Sequence, residues 1–165
     1  MKRLAIAIIL FSSAHAAIAQ VAPARLPAYD HLDHFVGSWT ERGNEETFLE
    51  VCAWFDGNFH VVCNAERKRA DASVGRSLSI LSYVPNEGYV HAGIGNKGSY
   101  ETLQNGTFRG GLFEFLSATK EGDKSIVTRI RIGPFDENGF PFVVDTSTDG
   151  GPWVVAGTTE YVKLK

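Results

Sequence analysis

The sequence predicts an all-β protein, an antiparallel up-and-down β-barrel of about 8–10 strands preceded by a short N-terminal helix. Two observations carry this. From residue 35 onward no helical apolar period survives a full window, and β-branched and aromatic runs alternate with Gly, Asn and Asp turns. The runs are also evenly spaced and joined by tight turns, so that neighbours in sequence become neighbours in the sheet. A sheet built this way must bury one face and dispose of its edges, and closure does both. A two-sheet sandwich with Greek-key crossings is the competing architecture, and tight turns favour up-and-down connection.

The chain divides into three parts. Lys2 and Arg3 precede an apolar run from Leu4 to Phe11, and Ala17-Ile18-Ala19 supplies an A-x-A cleavage pattern. Residues 1–19 are therefore read as a secretory signal peptide. The apolar run has eight residues, whereas a membrane span needs roughly 20. Residues 20–34 form a linker and short helix, with Ala28 to Phe35 the helical candidate, and residues 35–165 form the barrel. The expected location is periplasmic or secreted, with no membrane insertion once the signal is removed.

Of the 165 residues, 44% are apolar and 12% aromatic, enough for a true core. Cleavage after Ala19 leaves 146 residues, and the loss of Lys2 and Arg3 takes the net charge from −3 to −5. An acidic domain whose basic run is confined to Glu66-Arg67-Lys68-Arg69 is a poor nucleic-acid binder.

Strands are expected near Phe35–Gly43, Glu46–Phe55, Phe59–Lys68, Arg76–Val84, Gly88–Ile94, Ser99–Gln104, Thr107–Ser117, Ser125–Ile132, Pro141–Thr148 and Trp153–Leu164. Asn105-Gly106 reads as a type I′ hairpin. Asn96-Lys97-Gly98 and Glu137-Asn138-Gly139 read as turns closed by a left-handed Gly. Gly57-Asn58 reads as a two-residue type II′ turn, which pairs Trp54 with Val61 and Cys52 with Cys63. That register places the two sulfurs cross-strand at a hydrogen-bonded pair, with Cα atoms ~5.5 Å apart, and so predicts a disulfide. Ile126, Thr128, Ile130 and Ile132 share one face opposite Arg129 and Arg131, so the arginines are expected in solvent. Trp153, Val155, Gly157, Thr159 and Tyr161 are expected to share another face.

Several segments together resemble a known group. These are His31-Leu32-Asp33-His34-Phe35-Val36-Gly37-Ser38-Trp39, the hairpin at Trp54-Phe55-Asp56-Gly57, Leu81-Ser82-Tyr83-Val84-Pro85, and the end from Gly151-Pro152-Trp153 to Tyr161. In order and spacing they resemble a bacterial lipocalin-like family of calycin-type barrels, of unknown function, with an N-terminal Gly-x-Trp motif. The resemblance implies a closed antiparallel barrel and small-molecule binding; it carries over no catalytic residues. Thr40-Glu41-Arg42-Gly43 departs from the second Gly-rich signature of haem-binding barrels, so no cofactor is expected.

Candidate sites follow from chemistry. Gly93-Ile94-Gly95-Asn96-Lys97-Gly98 matches GxGxxG but leads into a strand, so it reads as a hairpin turn. His31 and His34 share a helix face without a visible third metal ligand, and no metal is expected. His60 and His91 lie on strands, where an inward imidazole can hydrogen-bond or act as a base. Trp39, Trp54, Tyr83, Tyr100 and Trp153 are core or cavity-lining candidates. The leading expectation is an interior that binds a small apolar ligand. An enzyme pairing His60 or His91 with Glu50 or Glu101 is the alternative, such as an isomerase, cyclase or hydrolase, followed by an envelope protein-interaction module. An inward cavity of roughly 300 Å³ or more supports the first two, and a filled barrel the third.

Overall fold

The computed structural model describes residues 24–165. The predicted signal peptide and its cleavage site lie outside the described residues. A 3-10 helix (Pro27–Phe35) leads into ten strands: β1 (Gly37–Glu41), β2 (Phe48–Trp54), β3 (His60–Lys68), β4 (Val74–Val84), β5 (Gly88–Gly95), β6 (Tyr100–Arg109), β7 (Leu112–Glu121), β8 (Lys124–Ile132), β9 (Gly139–Thr148) and β10 (Val154–Lys163). Each strand pairs antiparallel with its sequence neighbours, and β10 returns to β1 to close the barrel. The closed antiparallel barrel is consistent with a calycin-like fold.

Strand alternation divides the interior into two layers. At the helix end, the helix buries Tyr29, Leu32 and Phe35 against an aromatic plug. There Phe113 meets Phe35 at 5.1 Å, Tyr89 at 4.9 Å and Phe108 at 4.6 Å between ring centres. The Trp39 indole of the Gly-x-Trp strand donates to the Phe35 carbonyl at 2.7 Å, and the Tyr89 hydroxyl donates to the Ala28 carbonyl at 2.9 Å. These bonds fasten the helix across the barrel end. His31 and His34 share a face as expected, but that face stacks on aromatic rings: His31 on Phe108 at 4.1 Å and His34 on Phe135 at 4.7 Å. Towards the opposite end the strands place small or polar side chains inward, among them Ser77, Ser79, Gly93 and Gly95, whose register positions face one another across β4 and β5.

Cys52 and Cys63 form the predicted disulfide in the predicted register, Trp54 opposite Val61 and Cys52 opposite Cys63. The turn differs. Asn58 N–H donates to the Phe55 carbonyl and Phe55 N–H donates to the His60 carbonyl, so a four-residue loop closes at Phe55 and His60. A loop lengthened symmetrically keeps the register but reverses the hydrogen-bond phase. Cys52 and Cys63 thus form a non-hydrogen-bonded pair, which explains a Cα separation of 4.0 Å where ~5.5 Å was expected. The bridge closes a loop with a sequence separation of 11. Replacing both cysteines by alanine should lower stability by about 2–3 kcal/mol, read as a lower urea midpoint at unchanged slope.

Asn105-Gly106 is not a hairpin. It lies inside β6, where the register with β5 shifts between Tyr89 and His91 and Asn105 takes φ 56°. This is a bulge rather than a turn. Gly106 is required there because a Cβ would stand 2.3 Å from the Phe115 ring. The hairpin comes instead at Gly110-Gly111, both with positive φ, between the paired Arg109 and Leu112. β6 therefore joins the first expected segment, Ser99–Gln104, to the start of the second, and β7 takes up the rest from Leu112.

β10 also carries a register shift, between Val155 and Gly157. Gly157, Thr159 and Tyr161 keep the inward register of Val144, Phe142 and Phe140, while Val155 pairs with Asp145 on the outside. The expected common face from Trp153 to Tyr161 is broken at this point. Arg129 and Arg131 project outward, as the inward isoleucines require, but they are not free charges. Both donate through Nε to Asp145, at 3.0 and 2.8 Å. The Arg129 guanidinium lies 4.2 Å over the Trp153 ring. The Arg131 and Arg129 hydrogen bonds hold the Asp145 carboxyl below the usual carboxylate range.

Candidate functional site

The site is set by the inward alternation of β2, β5 and β10. On β2, Leu49 and Val51 face out and are exposed, which turns Glu50 inward between Phe48 and Cys52. Its cross-strand partners are Trp39 on β1 and Ala65 on β3, neither of which offers a charge. Among the described residues Glu50 has no ion-pair or hydrogen-bond partner. Burial, reinforced by the nearby Glu41 carboxylate, pushes its carboxyl up to about 7. Glu41 itself is paired with Arg67, so that guanidinium is already engaged.

His91 on β5 sits between Leu81 of β4 and Leu103 of β6. Its Nδ1 is buried without a hydrogen-bond partner. Burial lowers its pKa, only partly offset by Glu101, so the imidazole is neutral at neutral pH. Tyr161 on β10 stacks on Phe140 with ring centres 4.9 Å apart. Its hydroxyl pKa is raised by burial and then by the Glu50 and Glu41 carboxylates.

These groups line two connected spaces. An inner chamber of about 70 Å³ is bounded by Glu50, Cys63, Ser79, His91, Phe142 and Tyr161, with Phe35 and Phe140 towards the plug. An outer cleft of about 300 Å³ is bounded by Glu50, Ser79, His91, Phe142 and Tyr161 again, with Tyr100 and Glu101 at its rim. The five shared residues make the chamber the floor of the cleft. A third basin of about 260 Å³ lies further along the mouth, lined by Arg67, Arg69 and Lys97; it meets the cleft only through Ser77 and Ser99.

Of the residues expected to touch a ligand, the structure brings His91 and Tyr100 to this cleft. Both expected carboxylates, Glu50 and Glu101, are there as well. His60 is not: it faces out from β3, exposed, with Nδ1 2.9 Å from the Ser82 hydroxyl. Trp39 belongs to the aromatic plug. Trp54 is tied by its indole N–H to Asp33 at 2.8 Å, and Tyr83 packs edge-on against Tyr29 at 5.6 Å, both at the helix end. Trp153 lies outside the barrel under Arg129. Tyr161, Phe142 and Ser79 were missed. The signal for Phe142 was present in the inward isoleucines of β8, because Ile132 pairs with Phe142 across β9.

The donor atoms of Glu50, Cys52 and Cys63 converge within 4.8 Å, but both sulfurs are committed to the disulfide, which has no thiolate to offer a metal. Compared with protein-family models and with curated proteins, the chain matches none.

Proposed function

We propose that the chain is an exported lipocalin-like barrel that binds a small, mainly apolar molecule in its interior. The observation that carries this is the cleft of about 300 Å³ opening onto a chamber where Glu50 and the Nδ1 of His91 have no partner among the described residues. A small barrel either fills with side chains or leaves room for one ligand, and this one fills only its helix end. Membership of the lipocalin-like family fits the Gly-x-Trp strand, whose indole closes the plugged end. Export fits the disulfide, which forms in an oxidising compartment. The mature N-terminus at Gln20, read by mass spectrometry of a periplasmic extract, tests the export.

Ligand binding is tested with N-phenylnaphthylamine, a dye uncharged at neutral pH that fluoresces in apolar surroundings. Saturable one-to-one binding is expected, abolished in a folded Ser79→Trp variant whose indole fills the chamber. Dye binding that is linear in concentration, or indifferent to that substitution, would sink the reading. The same floor favours a second reading, an acid–base enzyme. A carboxyl pushed up to about 7 and a neutral imidazole lining the same chamber match what proton transfer near neutral pH requires.

A further inference from the structure

Resting on the binding reading above, we infer that the preferred ligand is a small organic cation, an amine on an apolar or aromatic body, with its ammonium at Glu50 and its body in the cleft. The argument is one of complementarity. Glu50 is a carboxylate inside the barrel, largely but not wholly shielded from water, with no cation or hydrogen-bond donor to balance it among the described residues. The charged and titratable groups around it are Glu41, Tyr161, His91 and, at the rim, Glu101. The Arg67 guanidinium is engaged by Glu41.

An anionic head at the chamber floor would face Glu50 with only a neutral imidazole to receive it. An ammonium there gains the carboxylate and the neighbouring aromatic rings of Phe142 and Tyr161, which line the same chamber, the kind of surroundings that recognise organic cations. The unpartnered Nδ1 of His91 completes the site as a hydrogen-bond acceptor in the matching tautomer. The free basic groups Arg69 and Lys97 line the separate basin near the mouth, where they would hold a carboxylate outside the chamber rather than in it.

Three probes of one shape test this by displacement of N-phenylnaphthylamine: phenethylamine, phenethyl alcohol and hydrocinnamate. Phenethylamine should bind at least about tenfold more tightly than hydrocinnamate at about pH 8, and should lose about tenfold or more by about pH 5.5, where it competes with the Glu50 proton. Glu50→Gln should weaken the amine at least about tenfold more than the alcohol, and should remove most of that pH dependence, leaving the part due to His91. If hydrocinnamate displaces the dye as well as the amine does, or if amine binding is insensitive to pH and to Glu50→Gln, the inference is overturned while the binding barrel stands. If neither the dye nor any of the three probes binds, both fall together.

Discussion

Replacing Phe113 by alanine should destabilise the barrel by about 3–5 kcal/mol, the range for truncating a fully buried phenylalanine. Its side chain is wholly excluded from solvent and contacts rings from three other parts of the fold: Phe35 of the helix, Tyr89 of β5 and Phe108 of β6. Apart from its cross-strand neighbour Ile132, the side chains around it are mostly aromatics already in mutual contact, such as Phe135 and Phe140 at 4.7 Å, so the void closes only in part. Two of the bonds that anchor the helix, from Trp39 and Tyr89, run through the same cluster. Urea unfolding followed by tryptophan fluorescence measures the effect, with Leu116→Ala on the exposed outer face of β7 as a control expected within about 0.5 kcal/mol of wild type. A Phe113→Ala midpoint no lower than that of the control would show that the plug does not hold the fold together.

The plug was legible in the sequence only as composition. Aromatic residues were plainly numerous enough for a core, but which ones meet depends on register across strands far apart in the chain. Alternation resolved that where one face was polar. On β8 the row Ile126, Thr128, Ile130 and Ile132 against Arg129 and Arg131 gave the inward face correctly. On β2 both faces are apolar, Leu49 and Val51 outside against Phe48 and Cys52 inside, so the orientation of Glu50 was fixed only by its pairing with Trp39 and Ala65.

Turn chemistry was read well where a turn and a bulge have different signatures, and failed where they share one. Asn105 takes the same left-handed backbone in a β-bulge as in a type I′ turn, so the dipeptide alone does not separate them. The deciding fact is non-local: Gly106 lies under Phe115, closer than any Cβ permits. The hairpin at Cys52 and Cys63 shows the converse. Its register survived an error in loop length because two- and four-residue loops centred on the same bond give the same pairing. The candidate site was legible in part for the same reason. His91, Glu50 and Glu101 were visible as isolated groups of the right chemistry, whereas His60 differs from His91 only in which face of its strand it occupies.

Glu50 makes the sharpest prediction about pH. Its carboxyl is raised from 4.5 to about 7 in the folded protein, so between those values the native state binds a proton that the unfolded chain has released. Stability therefore falls as pH rises through this window. The penalty is absent below the unfolded value, grows between 4.5 and about 7, and is complete above it, amounting to something of order 3 kcal/mol. Glu50→Gln, which keeps the shape and cannot ionise, should match the wild type at about pH 4 and exceed it by that order at about pH 8. Urea midpoints of the two proteins across this range measure it directly. Equal midpoints at both ends would mean that Glu50 is solvated or paired in solution. A Gln variant weaker at high pH would mean that the ionised carboxylate stabilises the fold. The expected gain also bears on the proposal of a cationic ligand, because a largely shielded carboxylate held at a stability cost is what a site for such a ligand would show before binding.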